Sequence, residues 1–161
     1  MSDDTKTKQS AFQIQRILVP VDGSPNSHRA VEVAVNLAAD YKAEITFLSV
    51  IPAPKFSYGA AAVLGTPGIG LDKYYEYAET ESENLLEGMV HLAKTRQISA
   101  KGEVVKSSES TVQSIVDQAK ECKADLIVIG TRGLSSFRKM LIGSVSSGVL
   151  TYAECPVLVV R

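Results

Sequence analysis

Four branched aliphatic residues follow one another from Leu126 to Ile129 and end at Gly130. A short run of this kind predicts a β-strand buried on both faces, as in a parallel sheet covered by helices. Glycines then recur at a fixed spacing, Gly130-x2-Gly133-x9-Gly143, and Ser144 follows the last of them. Glycine lets a backbone approach a ligand closely because it carries no side chain. We therefore expect this strand to end in a ligand-binding loop.

A helix is predicted to begin at Gly143. The first turn of a helix has free N–H groups and a partial positive charge, so it can bind an anion. The hydroxyls of Ser144, Ser146 and Ser147 lie at that start, and Arg132 lies between the glycines, where it could bind phosphate or remain in solvent. The pattern predicts a phosphate-binding strand, loop and helix, and a glycine-rich loop without a ligand is the alternative.

The rest of the chain alternates apolar runs with amphipathic stretches. The first helix has six apolar residues at helical spacing that should face a sheet, namely Ala30, Val33, Ala34, Leu37, Ala38 and Tyr41. Strands are predicted over 16–21, 44–51, 99–106, 124–130 and 156–160, and helices over 25–41, 71–97 and 112–122 and from 143 onward. Uninterrupted alternation of this kind predicts a single doubly wound, parallel α/β sheet with helices on both faces.

Ligands on such sheets bind at the carboxyl ends of the strands, where the strand order reverses. Asp22 follows the first strand and Gly130 ends the fourth, so the two can touch one ligand if those strands are neighbours. The Asp22 carboxylate suits ribose hydroxyls or a divalent cation bound to phosphates. A purely local role in the turn is the alternative, because Asp-Gly is a common turn pair.

Composition narrows the class of protein. The 161 residues fit one domain, and a net charge of −1 gives no electrostatic case for nucleic acid or an anionic membrane. No apolar run is long enough for a transmembrane helix, and the polar start, residues 1–13, is expected to be a disordered tail without a signal segment. Cys122 and Cys155 form no CxxC pair, so we expect thiols in a reducing, cytoplasmic compartment.

Other nucleotide and catalytic motifs are absent from the sequence. There is no G-x4-G-K-[ST] loop, no G-x-G-x-x-G after the first strand and no G-x-S-x-G elbow. The long, nearly uncharged segment 52–70 could cover a ligand, contact a second copy or form a surface loop.

Three segments together resemble the universal stress protein family: the glycine spacing with Ser144, the opening Ile17–Ser24 (ILVPVDGS) and the closing Pro156–Val160 (PVLVV). The similarity extends over residues 14–161, which would form one universal stress protein domain. It implies a Rossmann-like fold of the adenine nucleotide alpha-hydrolase type with strand order 3-2-1-4-5. It also implies ATP binding with Mg2+ or Mn2+, and a homodimer formed through strand 156–160, whose apolar edge would otherwise be an aggregation hazard.

The resemblance also implies roles for individual residues. Asp22 would contact ribose or the metal, and Val50 would present its backbone to adenine, although Ser49 stands where the family often has histidine. The other implied nucleotide contacts are Pro20, Val21, Gly130, Arg132, Gly133, Gly143, Ser144, Val145 and Ser146. Two functions fit: a nucleotide-dependent regulatory protein of the stress response, possessing at most slow ATP hydrolysis, or an enzyme that uses ATP to adenylate a substrate.

Overall fold

The structure is a computed structural model that describes residues 12–54, 69–107, 110–131 and 142–161. Strands and helices alternate along these ranges, as the sequence predicts. The strands are β1 (Arg16–Pro20), β2 (Glu44–Ile51), β3 (Ala100–Lys106), β4 (Leu126–Gly130) and β5 (Val157–Val160). The helices are α1 (Pro25–Tyr41), α2 (Ile69–Thr95), α3 (Thr111–Glu121) and α4 (Ser144–Tyr152).

The five strands form one parallel sheet in the order β3-β2-β1-β4-β5, which confirms the predicted order. The central strand β1 pairs on one side with β2 and on the other with β4, so Ile17 lies between Ile45 and Leu126. From β1 the chain adds β2 and β3 on one side and then returns to add β4 and β5 on the other, so the strand order reverses between β1 and β4. Their carboxyl ends therefore lie side by side at the reversal point, where such sheets bind ligands.

Each face of the sheet is covered by two helices, and each face has its own apolar cluster. Helices α1 and α2 pack on one face, where Val19, Phe47 and Val128 are fully buried. Helices α3 and α4 pack on the other face, around Leu18 and Ile127. Among the helices that the structure describes, none has the length and apolarity that crossing a membrane requires.

The sheet-facing stripe of α1 differs from the predicted one at its last position. Tyr41 is 57% exposed, so the expectation that it faces the sheet is wrong. The stripe is instead centred on the β-branched Val31 and Val35 together with Ala30, Ala34 and Ala38, and Val33 and Leu37 pack at its margin. Tyr41 ends the helix, and the chain then turns through Lys42, which has a φ of 57°, so Tyr41 stays in solvent.

Serine side chains cap the N-termini of two helices. The Ser24 hydroxyl accepts a hydrogen bond from the Ser27 N–H at 3.2 Å, and Pro25 occupies the first helical position of α1, as predicted. Ser110 caps α3 by accepting from the Gln113 N–H at 3.0 Å. These contacts satisfy backbone donors that the first turn of a helix cannot satisfy by itself.

Candidate functional site

The predicted site residues of the first strand lie at the carboxyl edge of the sheet, next to the end of β4. Pro20 ends β1, and the Val21 N–H extends the pairing by donating to the Leu48 carbonyl oxygen at 2.8 Å. The parallel pairing of β1 with β4 brings Asp22 and Gly130 to the same edge. The neighbouring strands that a shared ligand requires are therefore present.

Asp22 has a defined role in the turn between β1 and α1. One of its carboxylate oxygens, Oδ1, accepts a hydrogen bond from the Ser24 N–H at 3.0 Å. Gly23 between them has a φ of 77°, in the left-handed region where glycine is strongly favoured. The Asp22 residue is exposed at this edge. The turn holds the carboxylate at the mouth of the site, so the local role and a ligand role are compatible.

The two ends of the glycine-rich segment are held together by main-chain hydrogen bonds. The Thr131 N–H donates to the Val160 carbonyl oxygen at 2.7 Å, and the Thr131 carbonyl oxygen accepts from the Gly143 N–H at 2.6 Å. The buried Ser146 hydroxyl donates to the Gly130 carbonyl oxygen at 2.7 Å. These contacts fix the start of α4 against the end of β4.

The N-terminus of α4 carries backbone donors that have no partner within the described ranges. Its N-cap is Gly143, which offers no side chain, and the first helical hydrogen bond runs from the Ser147 N–H to the Gly143 carbonyl oxygen at 2.9 Å. Within the described ranges, the N–H groups of Ser144, Val145 and Ser146 have no acceptor. N–H groups in this position, at the positive end of a helix, can donate to an anionic group such as phosphate.

Val50 lies near the end of β2, beside β1, and is half-buried on the face covered by α3 and α4. The preceding Ser49 is buried on the opposite face, where its hydroxyl donates to the Ser82 hydroxyl of α2 at 3.0 Å. Val50 therefore reaches the same edge of the sheet as Asp22. Ser49 joins β2 to α2 by this hydrogen bond, a role that the sequence alone did not show.

The residues still to be placed are two predicted nucleotide contacts, segment 52–70 and the two histidines. Arg132 and Gly133 lie outside the described residues, as does most of segment 52–70. The His28 Nδ1 atom lies 3.0 Å from the Ser24 carbonyl oxygen, one turn into α1, and His91 is exposed on α2. In the part of the chain that is described, no group of three or more His, Cys, Asp or Glu side chains could hold a metal ion.

Two residues of the site were missed by the sequence analysis. Thr131 is 4% exposed and joins β4, β5 and the start of α4. Asn26 packs so closely against Gly130 that any side chain at position 130 would collide with the backbone of Asn26. The sequence places Thr131 directly after a buried strand, and that position was the available signal.

Comparison with known proteins decides the family. The sequence model of the universal stress protein family matches residues 13–161. The chain belongs to the universal stress protein family. It is 32% identical over 147 residues to universal stress protein YxiE of Bacillus subtilis, a match that covers 91% of this chain and 98% of that protein.

Two solved structures of universal stress proteins share the fold. The UspA protein of Lactobacillus plantarum is 27% identical, with a TM-score of 0.79 over 92% of this chain and 99% of that chain. A universal stress protein crystallised in complex with cAMP is 26% identical, with a TM-score of 0.63 over 92% of this chain and 98% of that one. The similarity extends over nearly the whole length of each protein.

Proposed function

We propose that this universal stress protein binds an adenine nucleotide, ATP with Mg2+ or Mn2+, at the carboxyl edges of β1 and β4. The observation that carries the proposal is the N-terminus of α4, where the N–H groups of Ser144, Val145 and Ser146 have no acceptor among the described residues. A phosphate group would accept from these donors. The related protein that was crystallised with cAMP, also an adenine nucleotide, supports this ligand class.

The contrast between the two helices at this edge supports the placement of the phosphate. Helix α1 is closed by the Ser24 side chain and by Pro25, which has no N–H to offer. Helix α4 has Gly143 as N-cap and Ser144 at its first position, so its donors remain available. An anion gains more at α4, because the donors there do not have to give up an existing partner.

The remaining parts of the nucleotide would extend from α4 toward β2. Asp22 would accept from the ribose hydroxyls or bind the divalent cation, which needs one or two protein carboxylates when phosphates supply its other ligands. Pro20 and Val21 would line the base, and the backbone of Val50 would meet adenine. Gly130 and Gly143 border the phosphate, and Arg132 and Gly133 would complete its surroundings from the glycine-rich segment.

We propose that the bound nucleotide acts by occupancy, in a regulatory role in the stress response, and that any hydrolysis is slow. We assign this role to the cytoplasm, in keeping with the free thiols Cys122 and Cys155. Incubation with ATP followed by quantification of ADP, AMP and pyrophosphate tests the mode of action. Stoichiometric retention of ATP with little ADP supports the proposal, whereas rapid release of pyrophosphate, with AMP transferred to an acceptor or to water, would indicate cleavage at the α-phosphate, the reaction that adenylation requires.

A substitution at the first position of α4 tests the phosphate site. Ser144→Pro removes one free N–H, and proline is well tolerated at this helical position. Gly143 has a φ of −70° and a ψ of 161°, an extended conformation that suits the residue before proline. The helix should therefore form normally in the variant.

The matched control is Ser144→Ala, which removes the hydroxyl and keeps the N–H. Hydrogen bonds to charged groups contribute about 1.5–3 kcal/mol, so Ser144→Pro should weaken ATP binding by roughly 10- to 100-fold in calorimetry. Ser144→Ala should cost less. Equal ATP affinities of the wild type and Ser144→Pro would show that the phosphate does not bind at this helix. An absence of nucleotide binding by the wild type would overturn the proposed function.

We also propose a homodimer formed through β5. The C-terminal strand Val157–Val160 is an edge strand, and Leu158 on it is 38% exposed. The opposite edge strand, β3, carries Lys101, Glu103 and Lys106, and such charges discourage pairing between sheets. Two exposed apolar residues of α4, Leu150 and Tyr152, are 44% and 66% exposed. The β5 edge therefore suits a second copy of this chain better than the β3 edge does.

A further inference from the structure

We infer that the Thr131 hydroxyl is a further contact to the nucleotide, donating a hydrogen bond to a phosphate oxygen. The inference rests on the proposed nucleotide site and adds to it a side chain that neither the glycine spacing nor the family resemblance indicates. It follows from how deeply Thr131 is buried, from which of its groups are already used, and from where the residue stands in the sheet.

Thr131 is 4% exposed, and both of its main-chain groups are used within the fold. Its N–H donates to Val160 and its carbonyl oxygen accepts from Gly143. Its hydroxyl makes no hydrogen bond to any residue of the described ranges. A hydroxyl whose partner is water can exchange that water for a charged phosphate oxygen, and hydrogen bonds to charged groups are the stronger ones.

The same hydroxyl keeps some contact with solvent. No side-chain nitrogen or oxygen in the described part of the chain is both fully buried and unpartnered. The small exposed fraction of Thr131 must therefore include its hydroxyl oxygen. The hydroxyl thus lies at an opening of the protein surface, where a ligand can reach it.

The position of Thr131 in the sheet places that opening beside α4. Side chains alternate between the faces of a strand. Ile127 and Ile129 pack on the face covered by α3 and α4, whereas Gly130 faces α1. The next position, Thr131, continues the pairing with β5 and so falls on the α4 face. The nearby Ser146 hydroxyl is already bonded to the Gly130 carbonyl oxygen, whereas among the described residues the Thr131 hydroxyl has no such partner.

The test replaces the hydroxyl with a methyl group of similar size. Thr131→Val should weaken ATP binding by roughly 10- to 100-fold, since a hydrogen bond to a charged oxygen is lost. Thr131→Ser keeps the hydroxyl and should stay within about threefold of the wild type by the same reasoning. Thr46→Val is the matched control, because Thr46 is a similarly buried threonine near the amino end of β2, away from the site. It should bind ATP like the wild type.

Two further measurements separate a ligand contact from a structural role. Without nucleotide, Thr131→Val should unfold at the same temperature as the wild type or higher, because the lost hydroxyl makes no hydrogen bond to the part of the chain that the structure describes. Adenosine, which lacks phosphate, should compete equally well against a fluorescent ATP analogue on both proteins.

The outcomes are distinguishable. Wild type that binds ATP together with a Thr131→Val variant of unchanged affinity would overturn the role of Thr131 and leave the nucleotide site in place. A lower unfolding temperature in Thr131→Val, or an equal loss of adenosine binding, would also overturn the phosphate contact. A wild type that binds no nucleotide would overturn the proposed function itself.

Discussion

A Cβ atom placed on Gly130 would lie 2.7 Å from the carbonyl carbon of Asn26, in the first turn of α1. Backbone atoms of a helix cannot move aside as the end of a flexible side chain can. The end of β4 and the start of α1 therefore approach each other at a distance that requires glycine at position 130. This contact fixes α1 and its preceding turn, which carries Asp22, relative to the glycine-rich segment.

Gly130→Ala should consequently destabilise the protein. Overpacking of a tight contact typically costs about 1–3 kcal/mol, so the midpoint of urea unfolding should fall. Gly88→Ala is the control, because a Cβ atom there would meet nothing within 4 Å, on the exposed side of α2. It should raise stability by about 0.5–1 kcal/mol, since alanine favours a helix interior. Similar shifts in the two variants would contradict the packing role of Gly130.

The glycine spacing illustrates what the sequence could and could not predict. The apolar runs, their alternation with helices and the turn at Asp22 were sufficient to predict a parallel sheet, and the family resemblance supplied the strand order. The sequence analysis assigned the glycines to close approach of a ligand. At Gly130 the structure shows a different need, the approach of α1, because a contact between Asn26 and a residue more than 100 positions away has no local signature.

Two other differences have the same origin. Tyr41 fits the helical spacing of α1, but it is the last residue of the helix and stays in solvent, and its exposure depends on the assembled fold. Thr131 has no motif of its own, and its importance arises from hydrogen bonds to Val160 and Gly143 that the sequence does not reveal. Local pattern predicts the elements, whereas contacts between their ends depend on the assembled fold.

Asp22→Asn separates the charge of Asp22 from its role in the turn. The asparagine side-chain oxygen can still accept from the Ser24 N–H, so stability should change by less than about 1 kcal/mol, a typical value for one hydrogen bond. The negative charge that would bind a divalent cation is lost. We expect ATP affinity to lose its dependence on Mg2+ in calorimetry with and without the metal. A variant that retains the full Mg2+ dependence would show that Asp22 does not bind the cation.

The two cysteines should react slowly with alkylating reagents in the folded protein. Burial raises the pKa of the Cys122 thiol and that of the Cys155 thiol above the ordinary value. Less of the reactive thiolate is therefore present at neutral pH. Mass spectrometry after iodoacetamide treatment should show slower labelling in buffer than in urea. Equal rates would contradict the burial of these thiols.

The same shift predicts how stability changes in alkaline solution. A thiol with a raised pKa in the folded state binds its proton more tightly there than in the unfolded chain. Its contribution is fully present below the ordinary thiol pKa and is lost as the pH rises through the folded-state pKa. Urea midpoints measured across this range should therefore fall, and replacing Cys122 and Cys155 with alanine should reduce the fall.

The dimer can be tested at one backbone group of β5. The carbonyl oxygens of Pro156 and Val160 accept hydrogen bonds from the N–H groups of Ile127 in β4 and of Thr131 just after it, so alternate residues of β5 direct their backbone groups toward β4. The backbone groups of Val157 and Val159 consequently face outward, toward a second copy. Proline is tolerated on an edge strand where the N–H it lacks would face outward.

Val159→Pro should therefore give a folded monomer, because it removes an outward donor and leaves the pairing of β5 with β4 intact. Leu158→Pro is the control, since the backbone N–H of Leu158 faces β4 in this alternation. Its loss should weaken the pairing of β5 with β4 and lower the unfolding temperature of the protein. Light scattering of the wild type should give twice the mass of one chain, and that of Val159→Pro the mass of one. A wild type that stays monomeric at high micromolar concentration, or a Val159→Pro variant that remains a dimer, would rule out pairing through this strand edge.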